Sequence, residues 1–81
     1  MSDRPKKRSL TLRGHRTSVS LEDEFWNAFR QIADEQDRAL NALAADIDER
    51  RGTTVGLASA IRLFVLENFQ DKIKRGNGRQ H

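Results

Sequence analysis

The segment that most constrains the fold is residues 16–21, where polar and apolar side chains alternate. Its polar members share one face and its apolar members the other: Arg16, Ser18 and Ser20 against Val19 and Leu21. A period of two predicts a β-strand. A lone strand in a small helical chain cannot satisfy its own backbone hydrogen bonds. We therefore expect it to pair with the same strand of a second copy.

The size and composition of the chain also favour an oligomer. A chain of 81 residues buries a thin core, and disulfides, a metal or a second copy commonly stabilise such domains. There is no cysteine, so disulfides and thiolate metal sites are excluded and association is left. The polar start lacks the apolar core of a secretory signal, and no apolar run is long enough for a membrane span. We expect a soluble cytoplasmic protein with no membrane partner.

Charge is distributed unevenly along the chain. Residues 1–16 carry six basic side chains and one acidic side chain. Residues 17–71 carry five basic and eleven acidic side chains, whereas residues 72–81 carry four basic and no acidic ones. A basic arm beside a strand is a candidate polyanion-binding surface, because each cation that neutralises a phosphate releases condensed counterions. The alternative is a solvated arm without a partner.

The segment before the strand has two parts. Residues 1–8 are predicted to be a disordered basic arm, because they are charged and show no apolar pattern. Residues 9–13 alternate again, but with Leu10 and Leu12 at even positions, so Gly14 separates two pieces of opposite phase. Either Gly14 is a bulge or turn, or residues 9–13 form a separate edge segment.

Three helices are predicted after the strand. Their apolar spacing places them over residues 22–36, 41–51 and 55–73. The third has a broad apolar surface, wider than one stripe, which again indicates association. We expect residues 9–73 to form one mainly α domain that contains one short strand. Residues 74–81 are predicted to be a disordered tail.

The first predicted helix has clear signals at both ends. The carboxylates at residues 22–24 lie in its first turn, where the helix dipole favours negative charge, so they are not a catalytic cluster. Asp37 follows its end and takes the left-handed position that glycine usually occupies. Asn41 is a suitable N-cap for the second helix. Trp26 lies beside the apolar stripe and is predicted to pack in the core or at a dimer interface.

The predicted dimer core contains the apolar side chains that share the inner faces of the strand and the helices. They are Val19, Leu21, Phe25, Trp26, Phe29, Leu43, Ile47, Ile61 and Val65.

The sequence shows no pattern typical of an enzyme. The two histidines, His15 and His81, have no partners at metal-ligand spacing, and no glycine-rich loop stands between a strand and a helix. Ser18 and Ser20 have no base and orienting group for nucleophilic catalysis. We expect no metal, no cofactor and no catalysis.

The order of a polar-apolar strand, an acidic helix start and two further helices resembles the ribbon-helix-helix repressor fold. The residues that carry the resemblance are 14–22, Phe25 and Trp26, with residues 57–63 typical of a small bacterial subgroup that has an extra C-terminal helix. The resemblance implies a β-α-α arrangement with an added helix. It also implies a dimer in which two strands pair antiparallel as a ribbon in the major groove of DNA.

The resemblance also implies contacts with DNA. The outward side chains Arg16, Ser18 and Ser20 would touch bases, Arg16 by donating two hydrogen bonds to guanine. The family holds a phosphate at the start of its second helix, which here corresponds to Asn41 with Arg38 nearby. The remaining phosphate contacts would come from basic residues of the arm: Lys6, Lys7, Arg8 and Arg13.

Three alternatives stay open at this point. Residues 10–13 could form an intrachain hairpin that turns at residues 14–15 and occupies the strand edge needed for a dimer. Ser20 with Asp23 resembles a capping box, and a serine used as a helix cap does not read bases. Finally, the chain could be an antitoxin-like interaction module that binds a protein partner through residues 55–73, with little DNA readout. Higher oligomers are compatible with either function.

Overall fold

A computed structural model describes residues 4–78 as two strands followed by three helices. The strands are β1 (Lys6–Leu12) and β2 (His15–Leu21). The helices are α1 (Asp23–Glu35), α2 (Leu40–Arg50) and α3 (Leu57–Gly78). The helices confirm the predicted order, but α3 extends into the tail that was predicted to be disordered. The outermost parts of the predicted arm and tail, residues 1–3 and 79–81, lie outside the described residues.

The prediction of a single strand is wrong, because β2 finds a partner in its own chain. β1 and β2 pair antiparallel, with Leu12 opposite His15 and Lys6 opposite Leu21. Arg13 and Gly14 form the connection with φ of 53° and 82°. A two-residue turn with two positive φ values matches the twist of the strands that it joins. The turn therefore begins one residue before the predicted one, and residues 6–8 belong to a strand rather than to a disordered arm.

The hairpin explains the opposite phases of the two alternating pieces. Directly opposed residues of an antiparallel pair face the same side. Even positions of β1 therefore share a face with odd positions of β2 in this register. That face packs against the helices and carries four buried apolar side chains: Leu10, Leu12, Val19 and Leu21. Thr17 lies on the same side but near the tip, where it is exposed.

The residues predicted for a dimer core form the core of one chain. Seven of them are buried within it, namely Val19, Leu21, Phe29, Leu43, Ile47, Ile61 and Val65. Phe25 and Trp26 are partly buried against that core. Phe29 is at the centre, with its ring centroid 6.2 Å from that of Phe64 in an edge-to-face contact. A second copy is therefore not required to bury these side chains.

The ends of α1 decide one open alternative and confirm one prediction. Glu22 occupies the N-cap position of α1 without a side-chain capping bond, and Ser20 lies in β2, so the predicted capping box does not form. Asp37 adopts φ 55° beyond the other end, as predicted. There the N–H of Arg38 donates to the carbonyl of Ala33 and that of Asp37 to Asp34, which is a Schellman motif.

Candidate nucleic-acid interface

The hairpin carries a polar face turned away from the helices. Alternation along both strands places six side chains on this outer face: Lys7, Ser9 and Thr11 from β1, and Arg16, Ser18 and Ser20 from β2. All six are exposed. The three residues predicted to contact bases are therefore brought together on one surface. Three residues of β1 join them there.

The outer face is organised as three cross-strand pairs. Lys7 lies opposite Ser20, Ser9 opposite Ser18, and Thr11 opposite Arg16. The two cations are thus at diagonal ends, separated by about 13 Å along the strand. Four hydroxyl groups lie between them, and each can donate and accept a hydrogen bond. This combination suits a ligand with regularly spaced anions and polar edges.

Lys7 and Arg16 are free to bind such a ligand. Within residues 4–78, neither side chain forms an ion pair or a side-chain hydrogen bond. Arg16 is a planar donor that matches guanine or phosphate with two parallel bonds, whereas Lys7 is a compact point charge. These are the two predicted DNA contacts for which the structure leaves the charge unpaired.

Two other predicted phosphate contacts are tied to the start of α1. Arg8 forms an ion pair with Asp23, and its guanidinium lies 5.4 Å from the centre of the Trp26 ring. Lys6 donates to the second oxygen of the same carboxylate at 3.2 Å. The hydrogen bonds from Arg8 and Lys6 lower the pKa of Asp23. Arg8 is also half-buried, so it fixes β1 on α1 rather than pointing to a ligand.

The remaining predicted phosphate contacts also have partners in the chain. Arg13 pairs with Glu49 at 2.5 Å and Arg38 with Asp46 at 2.5 Å, and all four side chains are about one-third exposed or more. A phosphate would therefore compete with a carboxylate for either arginine. Exposed ion pairs of this kind are weak, and their median contribution to the free energy of unfolding is about 0–1 kcal/mol.

Asn41 has a different role from the predicted one. The N-cap position of α2 is Ala39, and Asn41 lies in the first turn. Its side-chain oxygen accepts a hydrogen bond from the backbone N–H of Thr11 at 3.1 Å. Asn41 therefore covers the outer edge of β1. The start of α2 is attached to the sheet instead of being free to hold a phosphate through this side chain.

The two edges of the hairpin differ. The N–H of Thr11 points outward on β1, and the carbonyl of Ser20 points outward on β2, where it accepts from Arg62 at 3.3 Å. Because backbone groups alternate between the two sides of a strand, Arg16 and Ser18 also direct their N–H and C=O groups outward. The sheet described in residues 4–78 has two strands only, so the backbone edge of β2 is open at these positions.

Sequence reasoning missed two parts of this surface. Ser9 and Thr11 join the outer face only through the hairpin register, which local alternation does not reveal. Arg62 binds Glu22 at 2.9 Å, and its guanidinium lies 5.8 Å from the centre of the Phe25 ring. A backbone hydrogen bond has the largest effect in lowering the pKa of Glu22, and the side-chain hydrogen bond from Arg62 lowers it further. No sequence pattern links residues 40 positions apart.

Neither a metal centre nor a membrane helix is found in the described part of the chain. No group of three or more His, Cys, Asp or Glu side chains there could hold a metal ion. Likewise, none of its helices has the apolar length that a bilayer crossing requires.

Comparison with protein-family models identifies a match. The family model described as a ribbon-helix-helix domain matches residues 5–69, which is more than half of the chain. No curated protein and no solved structure matches the chain.

Proposed function

The chain belongs to the ribbon-helix-helix family, and we propose that it is a homodimeric transcriptional regulator of the repressor type that binds double-stranded DNA. The observation that carries this proposal is the outer face, which has six exposed polar side chains, two of them unpaired cations. A two-stranded β-ribbon fits the major groove, where base edges offer distinct patterns of donors and acceptors. The proposal assigns the protein no catalytic role and places it in the bacterial cytoplasm.

Each side chain of the outer face has a role in this proposal. Arg16 donates two hydrogen bonds to O6 and N7 of a guanine. Ser18 and Ser20 donate to or accept from neighbouring base edges, and their short side chains tolerate several bases. Lys7 neutralises a backbone phosphate, which adds affinity without sequence preference. Base preference should therefore depend on Arg16 and salt dependence on both cations.

The open edge of β2 supplies the dimer contact. Antiparallel pairing of β2 with the same strand of a second copy, centred on Ser18, uses the outward backbone groups of Arg16, Ser18 and Ser20 in each chain. It produces a four-stranded sheet with β1 of each copy at the margins. Lys7 of one copy then lies in the same row as Arg16 of the other, two strand spacings or about 10 Å away. The central strands enter the groove and Lys7 reaches the phosphates beside it.

The proposal is tested by measuring DNA affinity against salt. The purified full chain selects duplexes from a random-sequence pool, and one selected duplex becomes the labelled probe. We expect Arg16→Ala to cost about 1–3 kcal/mol of binding free energy and to relax the preference at one base pair. Lys7→Ala should weaken all duplexes equally and reduce the slope of log K against log salt by about 1.

A charge-matched control separates specific contacts from net charge. Arg50 is an exposed cation at the end of α2, beside Ile47 and Phe64 rather than on the hairpin. Arg50→Ala removes the same charge at a position that is not on the outer face and should leave affinity within about twofold, because salt screens a charge that does not touch the DNA. Absence of binding, or binding that does not respond to salt, would refute the proposal.

A second candidate function is favoured by an apolar surface on α3. Leu63, Leu66, Phe69 and Ile73 are 53%, 50%, 41% and 62% exposed. Apolar side chains gathered on a surface commonly mark a site of protein association. In this alternative the chain is an antitoxin-like module that binds a protein through α3. Loss of a captured partner with Leu66→Asp but not with Arg16→Ala would favour it.

A further inference from the structure

The outer face of β1 carries one cation and two hydroxyl groups in a row. They belong to Lys7, Ser9 and Thr11, and all three side chains are exposed. Within residues 4–78, Lys7 has no ion-pair partner, and the hydroxyl groups of Ser9 and Thr11 have no hydrogen-bond partner. The row therefore offers one positive charge and two neutral donors to a ligand.

The strand that carries this row is attached to the helices near both of its ends. Near its start, Lys6 and Arg8 bind the carboxylate of Asp23 and neutralise its charge. Near its end, the N–H of Thr11 donates to the side-chain oxygen of Asn41 at 3.1 Å. β1 therefore presents its outer side chains at a fixed spacing, and a ligand does not have to order the backbone that carries them.

The width of the sheet decides where β1 lies on DNA, and this placement rests on the proposed function. In the proposed dimer the two copies of β2 are central and the two copies of β1 are marginal. The axes of the marginal strands are three strand spacings apart, about 14 Å. The major groove is about 12 Å wide. With the strands running along the groove, the central pair fits inside it and each β1 lies over one of its walls.

We propose that β1 follows the phosphates of one DNA strand while β2 reads the bases. Successive outward side chains of a β-strand are about 6.8 Å apart, which is close to the separation of successive phosphates along one strand of a duplex. Lys7 pairs with one phosphate, and the hydroxyl groups of Ser9 and Thr11 donate hydrogen bonds to the next two. The second copy contacts the opposite DNA strand in the same way, because the two-fold symmetry of the dimer mirrors that of its site.

The two strands of the hairpin therefore differ in what they contribute to binding. Phosphate contacts fix the register and orientation of a protein on the duplex and carry no direct sequence information. Ser9 and Thr11 should affect affinity for every duplex equally, whereas Ser18, which lies opposite Ser9, should affect base preference. A single hairpin that entered the groove without a second copy would place both strands against bases, so base preference distinguishes the two arrangements.

The test uses the duplex selected from the random pool, with single phosphates replaced by uncharged methylphosphonates at both symmetry-related positions. On the unmodified duplex, Lys7→Ala, Ser9→Ala and Thr11→Ala should each weaken binding about tenfold, since each removes a contact with a charged oxygen. At its own phosphate, each substitution should weaken binding by less than about twofold, because that contact is already impaired. The three phosphates should be successive and should follow the order of the three residues.

Two control variants accompany the scan of phosphates. Arg16→Ala should lose the same affinity on modified and unmodified duplexes, because Arg16 contacts a base in the proposed arrangement. Thr54→Ala removes an exposed hydroxyl group from the connection between α2 and α3, and affinity should not change. Circular dichroism and thermal unfolding check that every variant is folded.

Several results would overturn the role of β1. Unchanged affinity in both Ser9→Ala and Thr11→Ala would show that these hydroxyl groups do not touch DNA. Losses that persist on every modified duplex would show that their partners are not phosphates. An altered base preference in either variant, found by repeating the selection, would place β1 inside the groove. A chain that binds no duplex would refute the proposed function as well, whereas binding without the expected couplings refutes the role of β1 alone.

Discussion

The guanidinium of Arg62 lies 3.3 Å from the carbonyl oxygen of Ser20, the outward oxygen on the open edge of β2. The same guanidinium binds Glu22 and stacks on Phe25. A charged side chain over a strand edge is one of the ways in which proteins restrain edge-to-edge association. Arg62 therefore stands where a second copy of β2 would pair, and pairing requires it to move.

This position of Arg62 gives the first prediction. Arg62→Met keeps most of the apolar stem but removes the donor on Ser20, so β2 edges should pair more strongly. We expect self-association to increase about fivefold to tenfold, equivalent to about 1 kcal/mol for one hydrogen bond that no longer has to be exchanged. Glu22→Gln is the matched control, because it weakens the ion pair and leaves Arg62 on Ser20. Equal association in both variants, measured by sedimentation, would contradict the idea.

A second prediction concerns acid sensitivity at Asp23. Hydrogen bonds from Arg8 and Lys6 lower the pKa of this carboxyl in the folded chain. A lowered folded pKa stabilises the fold at pH values above the ordinary pKa, and this stabilisation is lost as the pH falls through the folded value. Asp23→Asn should therefore reduce the free energy of unfolding at pH 7 and also reduce its fall below about pH 4.

Urea unfolding at a series of pH values measures both effects. Glu24→Gln is the control, because Glu24 is an exposed acid in the same turn and has no ion-pair partner in residues 4–78. Its acid dependence should match that of the original chain. If Asp23→Asn shows the original acid dependence as well, the contacts of Arg8 and Lys6 do not stabilise the fold.

The turn at Arg13 gives a third prediction. Its φ of 53° is unfavourable for a residue with a Cβ, by roughly 1–2 kcal/mol, and Asn tolerates it better. Arg13→Asn creates the Asn-Gly pair preferred in such turns. We expect the free energy of unfolding to increase by about 1 kcal/mol and Tm to rise by about 4–8 °C, measured by thermal unfolding. Glu49→Gln removes the Arg13 ion pair without changing the turn, and it should change stability by less than 1 kcal/mol.

Local spacing was sufficient to predict much of the fold. The alternation at residues 16–21 identified β2, and helical periodicity identified all three helices. Asp37 was predicted correctly because the end of α1 depends on a few neighbouring residues. The inner and outer faces of β2 were also assigned correctly, since side chains must alternate along a strand.

What the sequence did not reveal depends on contacts between distant residues. The hairpin was foreseen only as an alternative that turned at residues 14–15. Arginine is an uncommon first residue of a turn with positive φ, so Arg13 did not mark the turn itself. Without the hairpin, Ser9 could not be placed beside Ser18, and the core appeared to need a second copy. The capping prediction for Asn41 was wrong because its side chain bonds to Thr11, 30 positions earlier. Arg8 was assigned to DNA because its partner Asp23 is joined to it only through the folded hairpin.

The last prediction asks whether DNA binding belongs to the outer face or to net charge alone. Ser18→Glu adds a carboxylate in the middle of the outer face, between Lys7 and Arg16. Thr17→Glu adds the same charge one residue earlier, at an exposed position on the opposite side of the hairpin. If the outer face touches DNA, Ser18→Glu should weaken binding at least tenfold, about 1.4 kcal/mol, through repulsion of phosphates and loss of a base contact. Thr17→Glu should weaken it only about twofold, through the smaller long-range effect of charge that salt screens.

Affinity measured against salt, with unfolding curves for both variants, separates these outcomes. Equal losses that disappear together at high salt would assign binding to the net charge of the chain and remove the outer face from the mechanism.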